Sequence, residues 1–140
     1  MSVLFDTGVL FAFLNGDDER HADARRLVAG IAEGRHGSPF VSDLVVNELF
    51  TLIRAKTRNP HLETAAKRLL PLPQPELPNL RIVSLGHERL PDLVAAFERR
   101  RALGITFTDA SHLVLMETLG IDYLATFDRR LQALARNVPA

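Results

Sequence analysis

The sequence contains no cysteine and no tryptophan, and only Lys56 and Lys67 among its 17 basic residues are lysines. Without thiols, the chain has no disulfide framework, zinc–thiolate site, iron–sulfur cluster or thiol nucleophile. No apolar run approaches the roughly 20 residues that span a bilayer, and the first residues lack the basic segment that opens a signal peptide. We therefore expect a cytoplasmic protein without a membrane segment, in keeping with the lack of cysteine.

The charges balance, because 17 acidic residues face 17 basic ones, and this excludes the simplest nucleic-acid signal, a globally basic domain. The length of 140 residues and a hydrophobic content of 46% indicate a globular chain that buries its own core. We expect a single domain over residues 1–140, with a proline-rich connector at 71–79 inside it.

Short apolar runs alternate with longer amphipathic segments along the chain. Four runs predict strands, at 3–5, 39–42, 80–84 and 123–127. Seven helices are predicted. Four have simple bounds, at 8–14, 43–56, 60–70 and 108–119. Another runs from the acidic residues 17–19 to about 33, one has Pro91 in its first turn and continues through Arg101, and the last begins after Asp128. This order predicts an α/β fold with three layers, α/β/α, around a mainly parallel sheet of four to five strands.

Three aspartates lie where predicted strands end or helices begin: Asp6, Asp109 and Asp128. In open parallel sheets, ligands bind beyond the carboxyl ends of the strands. Each aspartate also has a purely structural explanation, because aspartate is favoured at helix N-termini. For Asp109, the sequence suggests Thr108 as the N-cap.

Glu48 differs from these aspartates because it lies within a predicted helix. At about 100° per residue it falls between Leu44 and Leu52, at the edge of a wide apolar arc. A carboxylate there is costly unless it is paired or binds a cation. Pairing with Arg54, or bending toward solvent, is the structural alternative.

If these four carboxylates converge, they repel one another, and a divalent cation relieves the repulsion. Oxygen ligands alone favour Mg²⁺ or Mn²⁺. The five histidines show no metal-ligand spacing. His112, three residues after Asp109 and near the same face of the helix, could approach the site, but the pattern favours a structural or surface histidine. The sequence lacks a G-x-S-x-G motif, a P-loop and a G-x-G-x-x-G motif, so no competing nucleophile or nucleotide motif is present. The residues alone thus indicate phosphoryl transfer or hydrolysis at a divalent metal.

Four segments together resemble one family: VLFDT at 3–7, VNEL at 46–49, TFTDA at 106–110 and LATFDR at 124–129. In this order and spacing they look like a PIN-domain ribonuclease, and within that family like the VapC-type toxins of prokaryotic toxin–antitoxin pairs. The resemblance covers nearly the whole chain. It leaves little room for the family's last strand, which we expect to be absent or very short.

The resemblance implies an endoribonuclease that uses Mg²⁺ or Mn²⁺ and a metal-activated water. Asp6 and Asp109 would be direct metal ligands, and Glu48 and Asp128 would complete the catalytic acidic cluster directly or through water. Polar supports of the site would be Thr7 and Thr126.

The expected partners are an RNA substrate and a cognate antitoxin protein. Arg129 and Arg130 lie at a helix N-terminus, where the dipole disfavours cations, so they are candidates for RNA contact. A homodimer is expected because the apolar helices at 8–14 and 44–53 present more apolar surface than a small domain covers. The alternative function is a non-catalytic PIN-like module that binds RNA or a partner protein.

Overall fold

Strands and helices alternate around one sheet in a computed structural model that describes residues 1–70, 77 and 79–139. In chain order the elements are β1 (Ser2–Phe5), α1 (Thr7–Leu14), α2 (His21–Ala32), β2 (Ser38–Ser42), α3 (Asp43–Lys56), α4 (Pro60–Leu69), β3 (Arg81–Val83), α5 (Leu90–Arg99), α6 (Phe107–Leu119), β4 (Tyr123–Ala125) and α7 (Arg129–Gln132).

The four strands form a sheet in the order β3-β2-β1-β4, and every neighbouring pair is parallel. The carboxyl ends of all four strands therefore lie along the same edge. β1 is a central strand, so the residue that follows it, Asp6, lies in the middle of that edge. The α/β/α fold with a mainly parallel sheet is confirmed, with four strands in the described residues.

The pleat of β1 separates two cores. Val3 and Phe5 point to one face, where they pack in a buried cluster with residues of α1, α2, α3 and α4. Leu4 points to the other face and packs against Leu115 of α6 and Leu131 of α7. Because successive side chains of a strand alternate in direction, one fully buried apolar run serves both layers. α5 lies outside α6, where Ala96 meets Ala110.

Three helix boundaries differ from the sequence prediction. The acidic run at 17–19 does not open α2, because Asp18 Oδ1 accepts the Arg20 amide at 2.8 Å and stabilises a turn in place of the first helical turn. α5 ends at Arg99, and a 3₁₀ turn at Arg101–Leu103 leads to Gly104, whose φ of 65° ends the segment.

The third difference concerns the N-cap of α6, which is Thr106 rather than Thr108. The Thr106 hydroxyl accepts the Asp109 amide at 3.1 Å, and Asp109 Oδ2 accepts the Thr106 amide at 3.0 Å. Together they form a capping box, so the helix begins earlier than predicted, at Phe107.

The chain ends beside β4. The Leu124 amide donates to the Arg136 carbonyl at 2.8 Å, and the Leu124 carbonyl accepts the Val138 amide at 3.2 Å. A single bridge between Leu124 and Asn137 replaces a last strand, as the prediction of an absent or very short strand requires.

Most of the proline-rich connector at 71–79 lies outside the described residues, but Leu77 within it is buried in the core. Within the described ranges, no helix is long and apolar enough to cross a bilayer.

The apolar helices that suggested a homodimer are covered within the chain. Val9, Leu10 and Ala12 of α1 are buried, and so are Val45 and Leu49 of α3. The premise of the dimer prediction is therefore wrong for these helices.

The large apolar side chains that the described structure leaves exposed include three on α5, at helical spacing: Leu90, Val94 and Phe97.

Candidate metal centre

Asp6 lies at the carboxyl end of β1 and forms the N-cap of α1. Its amide donates to the Ala125 carbonyl at 3.0 Å, which ties the ends of β1 and β4 together. Two residues of α6, Asp109 and His112, reach the same point from the opposite layer. The site is therefore assembled from two strand ends and the first turns of one helix, as ligand sites of parallel sheets are.

Three donors hold the buried Asp6 carboxylate. Its Oδ1 accepts the Thr7 amide and His112 Nε2, each at 2.9 Å, and its Oδ2 accepts the Thr126 hydroxyl at 2.6 Å. A carboxylate offers about four lone-pair sites, two on each oxygen. These bonds fill both sites on Oδ1 and one on Oδ2, which leaves a single lone pair on Oδ2 for a further ligand.

His112 is fully buried and contacts Asp6 through Nε2. Because an ionised carboxylate only accepts hydrogen bonds, Nε2 carries a proton. Its Nδ1 has no hydrogen-bond partner within the described part of the chain. The spacing of three residues from Asp109 places both side chains on one face of α6, which predicts that His112 can approach the site but not that it donates to Asp6.

The two aspartates of the site have pKa shifts of opposite direction. Burial raises the pKa of Asp6, but the hydrogen bond and charge of His112, together with the Thr126 and Thr7 donors, outweigh it and hold the pKa below its usual value. Burial also raises the pKa of Asp109; the donors of Thr106 lower it and the Asp6 charge raises it further, and the net shift is upward. One carboxylate is thus stabilised as an anion, whereas its neighbour is not.

The two carboxylates fit a divalent cation, and His112 lies beside them as a donor to Asp6. One carboxylate oxygen from each of Asp6 and Asp109 and one ring nitrogen of His112 lie within 4.8 Å of one another. Burial first, and then the charge of Asp6, raise the pKa of Asp109, and the free lone pair of Asp6 offers a place to bind a cation. Oxygen ligands suit Mg²⁺ and Mn²⁺, and a nearby imidazole suits Mn²⁺ better than Mg²⁺.

Thr7 and Thr126 both border this site. Thr126 donates to Asp6, and its hydroxyl oxygen accepts the Asp128 amide at 3.0 Å, so it links two of the predicted acids. Thr7 acts through its backbone amide. Its hydroxyl oxygen is buried and finds no hydrogen-bond partner among the residues described.

Asp128 lies next to the group of three but its carboxylate has another partner. It caps α7 by accepting the Arg130 amide at 2.8 Å, and the Arg130 guanidinium binds both of its oxygens, at 3.2 and 2.8 Å. The Arg130 hydrogen bond is the main reason that the pKa of Asp128 is lowered. Arg130 also donates to the Gly104 carbonyl at 3.0 Å. This pairing explains why an arginine is stable at a helix N-terminus, where Arg129 is exposed beside it.

Glu48 is half-buried on α3, beside the buried residue Leu49. The alternative pairing with Arg54 is not observed, because Arg54 Nε donates to Glu63 Oε1 at 3.1 Å. Glu48 does not belong to the group of three side chains whose ligand atoms lie within 4.8 Å. Its assignment to the acidic cluster stays a prediction.

This sheet order, with two buried acids brought together at the carboxyl edge of the sheet, defines a class of α/β domain. The PIN domain family model matches residues 3–137. The chain belongs to the PIN domain family.

Within that family its similarity is to VapC proteins, as the sequence resemblance predicted. It is 36% identical over 56 residues to a VapC ribonuclease of Archaeoglobus fulgidus; the match covers 40% of this chain and 36% of that protein. The matched segment thus spans only about a third of the curated relative.

Two solved structures share the fold. The crystal structure of VapC20 of Mycobacterium tuberculosis, described as a toxin that cleaves the sarcin–ricin loop, superposes with a TM-score of 0.79 at 22% identity and covers 94% of each chain. VapBC2 of Rickettsia felis, bound to a DNA fragment of its promoter, gives a TM-score of 0.67 at 12% identity, over 99% of this chain and 98% of the other. At these identities the likeness concerns the fold.

Proposed function

We propose that this protein is a metal-dependent endoribonuclease that acts in the cytoplasm as the toxin of a type II toxin–antitoxin pair. The observation that carries the proposal is the pair of buried carboxylates, Asp6 and Asp109, which meet at the carboxyl edge of the sheet. Membership of the PIN domain family and similarity to a VapC ribonuclease support the reaction class.

In this proposal Asp6 and Asp109 hold the metal, Mg²⁺ or Mn²⁺, and Glu48 and Asp128 complete the catalytic cluster directly or through water. When bound, such a metal activates water and neutralises charge on a phosphate oxygen. The chain's own task is to present the carboxylates in fixed positions. The Asp6 carboxylate is held in position by hydrogen bonds from His112, Thr7 and Thr126. These donors occupy three of its lone pairs and thereby fix the direction of the fourth.

The proposed partners are an RNA substrate, a cognate antitoxin and a second copy of the chain. The exposed apolar side chains Leu90, Val94 and Phe97 on α5 are the surface we assign to the homodimer. Light scattering coupled to size-exclusion chromatography tests this. A dimer that Val94→Glu converts to a monomer supports the assignment, and a wild-type monomer at micromolar concentration contradicts it.

The activity is tested on purified, metal-stripped protein with RNA and added Mg²⁺ or Mn²⁺. We expect cleavage that requires the metal, and its loss in Asp6→Asn and Asp109→Asn. Asp92→Asn is the matched control, because Asp92 is exposed on α5 and pairs with Arg89. The same variants should abolish growth arrest on induction in cells. Full cleavage by Asp6→Asn, or cleavage in excess EDTA, would contradict the proposal.

A non-catalytic PIN-like module that binds RNA or a protein is the second candidate. It is favoured by the pairing of Asp128 with Arg130 and by the place of Glu48 outside the group of three. The same assay separates the two functions, since a module of this kind binds RNA or its partner protein but leaves RNA intact at every metal concentration.

A further inference from the structure

A cavity of about 360 Å³ lies between α2 and the C-terminal stretch 126–139, next to the candidate metal centre. Thr126 belongs to both, because it lines the cavity and its hydroxyl donates to Asp6 Oδ2 at 2.6 Å. Sites for small ligands measure about 300–1,000 Å³, so the cavity is large enough for one nucleotide. Thr126 and Phe127 line the end of the cavity that adjoins Asp6, whereas His36, which contacts Tyr123 at the start of β4, lines the other end.

The wall that α2 and the following turn contribute is cationic. It carries Arg20, Arg26, Arg35 and His36 against one acid, Asp23. Asp23 accepts Arg20 Nε at 3.0 Å and also pairs with Arg26, so two guanidinium groups share one carboxylate. Because the net charge of the whole chain is zero, this local excess is a property of the cavity and not of the protein surface in general.

Two further features of the wall match a nucleotide. The Arg20 guanidinium is stacked over the Phe127 ring at 4.1 Å from its centroid, which fixes a planar, charged surface at the cavity. On the opposite side, Asn137 Oδ1 is buried and accepts no hydrogen bond from any residue that the structure describes. A ribose 2′-hydroxyl or a base amino group is the kind of donor that would satisfy this oxygen.

We propose that this cavity binds the nucleotide adjacent to the scissile phosphate of a single-stranded RNA segment. The inference rests on the proposed ribonuclease function, since it takes the scissile phosphate to lie at the metal centre. A strand anchored there passes its next nucleotide into the neighbouring space, and the shared Thr126 identifies that space as this cavity. Arginines pair with the phosphate, whereas the stacked Arg20 faces the base.

This assignment moves the expected RNA contact from α7 to α2. Arg130 is engaged by Asp128 and by the Gly104 carbonyl, so it has few donors left for a phosphate. Arg26 and Arg35 have only single acidic partners and line an open cavity.

Neighbouring arginines of α2 provide a matched test. Arg26 lines the cavity, whereas Arg25 is exposed on the same helix and is not part of the lining. Binding of a fluorescein-labelled single-stranded RNA of about ten nucleotides is measured by anisotropy in EDTA, over a series of salt concentrations. We expect Arg26→Gln and Arg35→Gln each to weaken binding about five- to tenfold, and to lower the slope of log K against log salt by about 0.7. Arg25→Gln should bind as the wild type does.

Equal losses in Arg25→Gln and Arg26→Gln, or wild-type binding by both cavity variants, would overturn the assignment. Either result overturns the RNA assignment, even if Arg26→Gln and Arg35→Gln weaken binding to an antitoxin protein. The cavity would in that case be a peptide-binding site. The same preparations are assayed for Mn²⁺-dependent cleavage. Cleavage together with RNA binding that does not depend on Arg26 refutes the cavity assignment alone. RNA binding that depends on Arg26, without any cleavage, refutes the ribonuclease function alone.

Discussion

Replacing each of the two buried aspartates by asparagine should change the stability of the metal-free protein in opposite directions. The pKa of Asp6 is lowered, so its charged form stabilises the fold, whereas the pKa of Asp109 is raised, so its charged form destabilises it. Asparagine is nearly isosteric with aspartate, and the comparison therefore isolates the charge. We expect Asp6→Asn to lower the free energy of unfolding at pH 7 and Asp109→Asn to raise it.

The size of each change follows from the contacts. In Asp6→Asn the two hydrogen bonds to Oδ1 become bonds to a neutral oxygen, each about 1 kcal/mol weaker, and the amide nitrogen in place of Oδ2 cannot accept the Thr126 hydroxyl, which costs about 1 kcal/mol more. Relief of the repulsion with Asp109 returns about 1 kcal/mol. The net loss is about 1–2 kcal/mol. Asp109→Asn keeps the capping acceptor for the Thr106 amide and removes a buried like charge, so we expect a gain of up to about 1 kcal/mol.

The pH dependence checks the same reasoning. The pKa of Asp6 is lower in the folded protein than in the unfolded chain, where it is near 3.8. Ionised Asp6 therefore adds to the free energy of unfolding at pH values above 3.8, and this contribution is lost as the pH falls through the folded-state pKa. A raised folded-state pKa costs stability that is absent below 3.8 and develops as the pH rises through the higher folded value. The advantage of Asp109→Asn over the wild type should therefore disappear as the pH falls from 7 toward 3.8.

Urea denaturation in EDTA measures these differences, with Asp92→Asn as the exposed control expected to stay within about 0.5 kcal/mol. In thermal unfolding, 1 kcal/mol corresponds to about 3–5 °C for a chain of this size. The reasoning is refuted if Asp109→Asn destabilises the metal-free protein as much as Asp6→Asn does at pH 7, because the two carboxylates would then have the same electrostatic environment.

Substitutions at three other residues test the contacts around the site. His112→Leu should weaken Mn²⁺ binding, measured by calorimetry, about tenfold, because Asp6 loses a donor that orients it. His112→Gln keeps a donor near the position of Nε2 and should recover most of the affinity. Equal losses of affinity in the two variants would contradict a positioning role for His112. Thr126→Val should lower the free energy of unfolding by about 1–3 kcal/mol, since Asp6 and the Asp128 amide both lose a partner, and an unchanged urea midpoint would argue against this. Arg130→Gln should raise the pKa of Asp128 toward 3.8 in a carboxyl NMR titration, and an unshifted pKa would show that the pair does not persist in solution.

The sequence could predict the acids at the strand ends, because a parallel sheet places every carboxyl end on one edge. Asp6 lies at this edge for that reason, and it meets Asp109 there because the first turn of α6 lies beside the end of β1, although 103 residues separate the two (109 − 6). The family resemblance, and not the residue pattern, implied Thr126 as a polar support, and the structure places it after the strand paired with β1. The sequence pattern therefore predicts which edge of the sheet a residue lies at.

The sequence pattern does not predict which side chains from different layers of the fold contact each other. The contact of His112 was missed because its partner, Asp6, lies 106 positions away, and one histidine on an otherwise apolar helix resembles a core residue. The basic cavity was missed for the same reason, because its wall joins α2 to the chain's end. For Arg130 the sequence did not predict a contact only two positions away, with Asp128, and its contact with RNA stays a prediction.

The environment of Asp6 explains why the site can be built before a cation arrives. A buried carboxylate beside a second one is costly, and a protein that relied on the metal alone to offset that cost would lose the local structure without it. Here the charge of Asp6 is satisfied by Thr7, His112 and Thr126, all from the chain itself, so the remaining repulsion falls on Asp109. Burial and the charge of Asp6 raise the pKa of Asp109, and a cation beside it would offset both, while the donors of Asp6 fix the geometry that receives the cation. Removing a donor should thus loosen the geometry, whereas neutralising Asp109 should remove the attraction and leave the geometry intact.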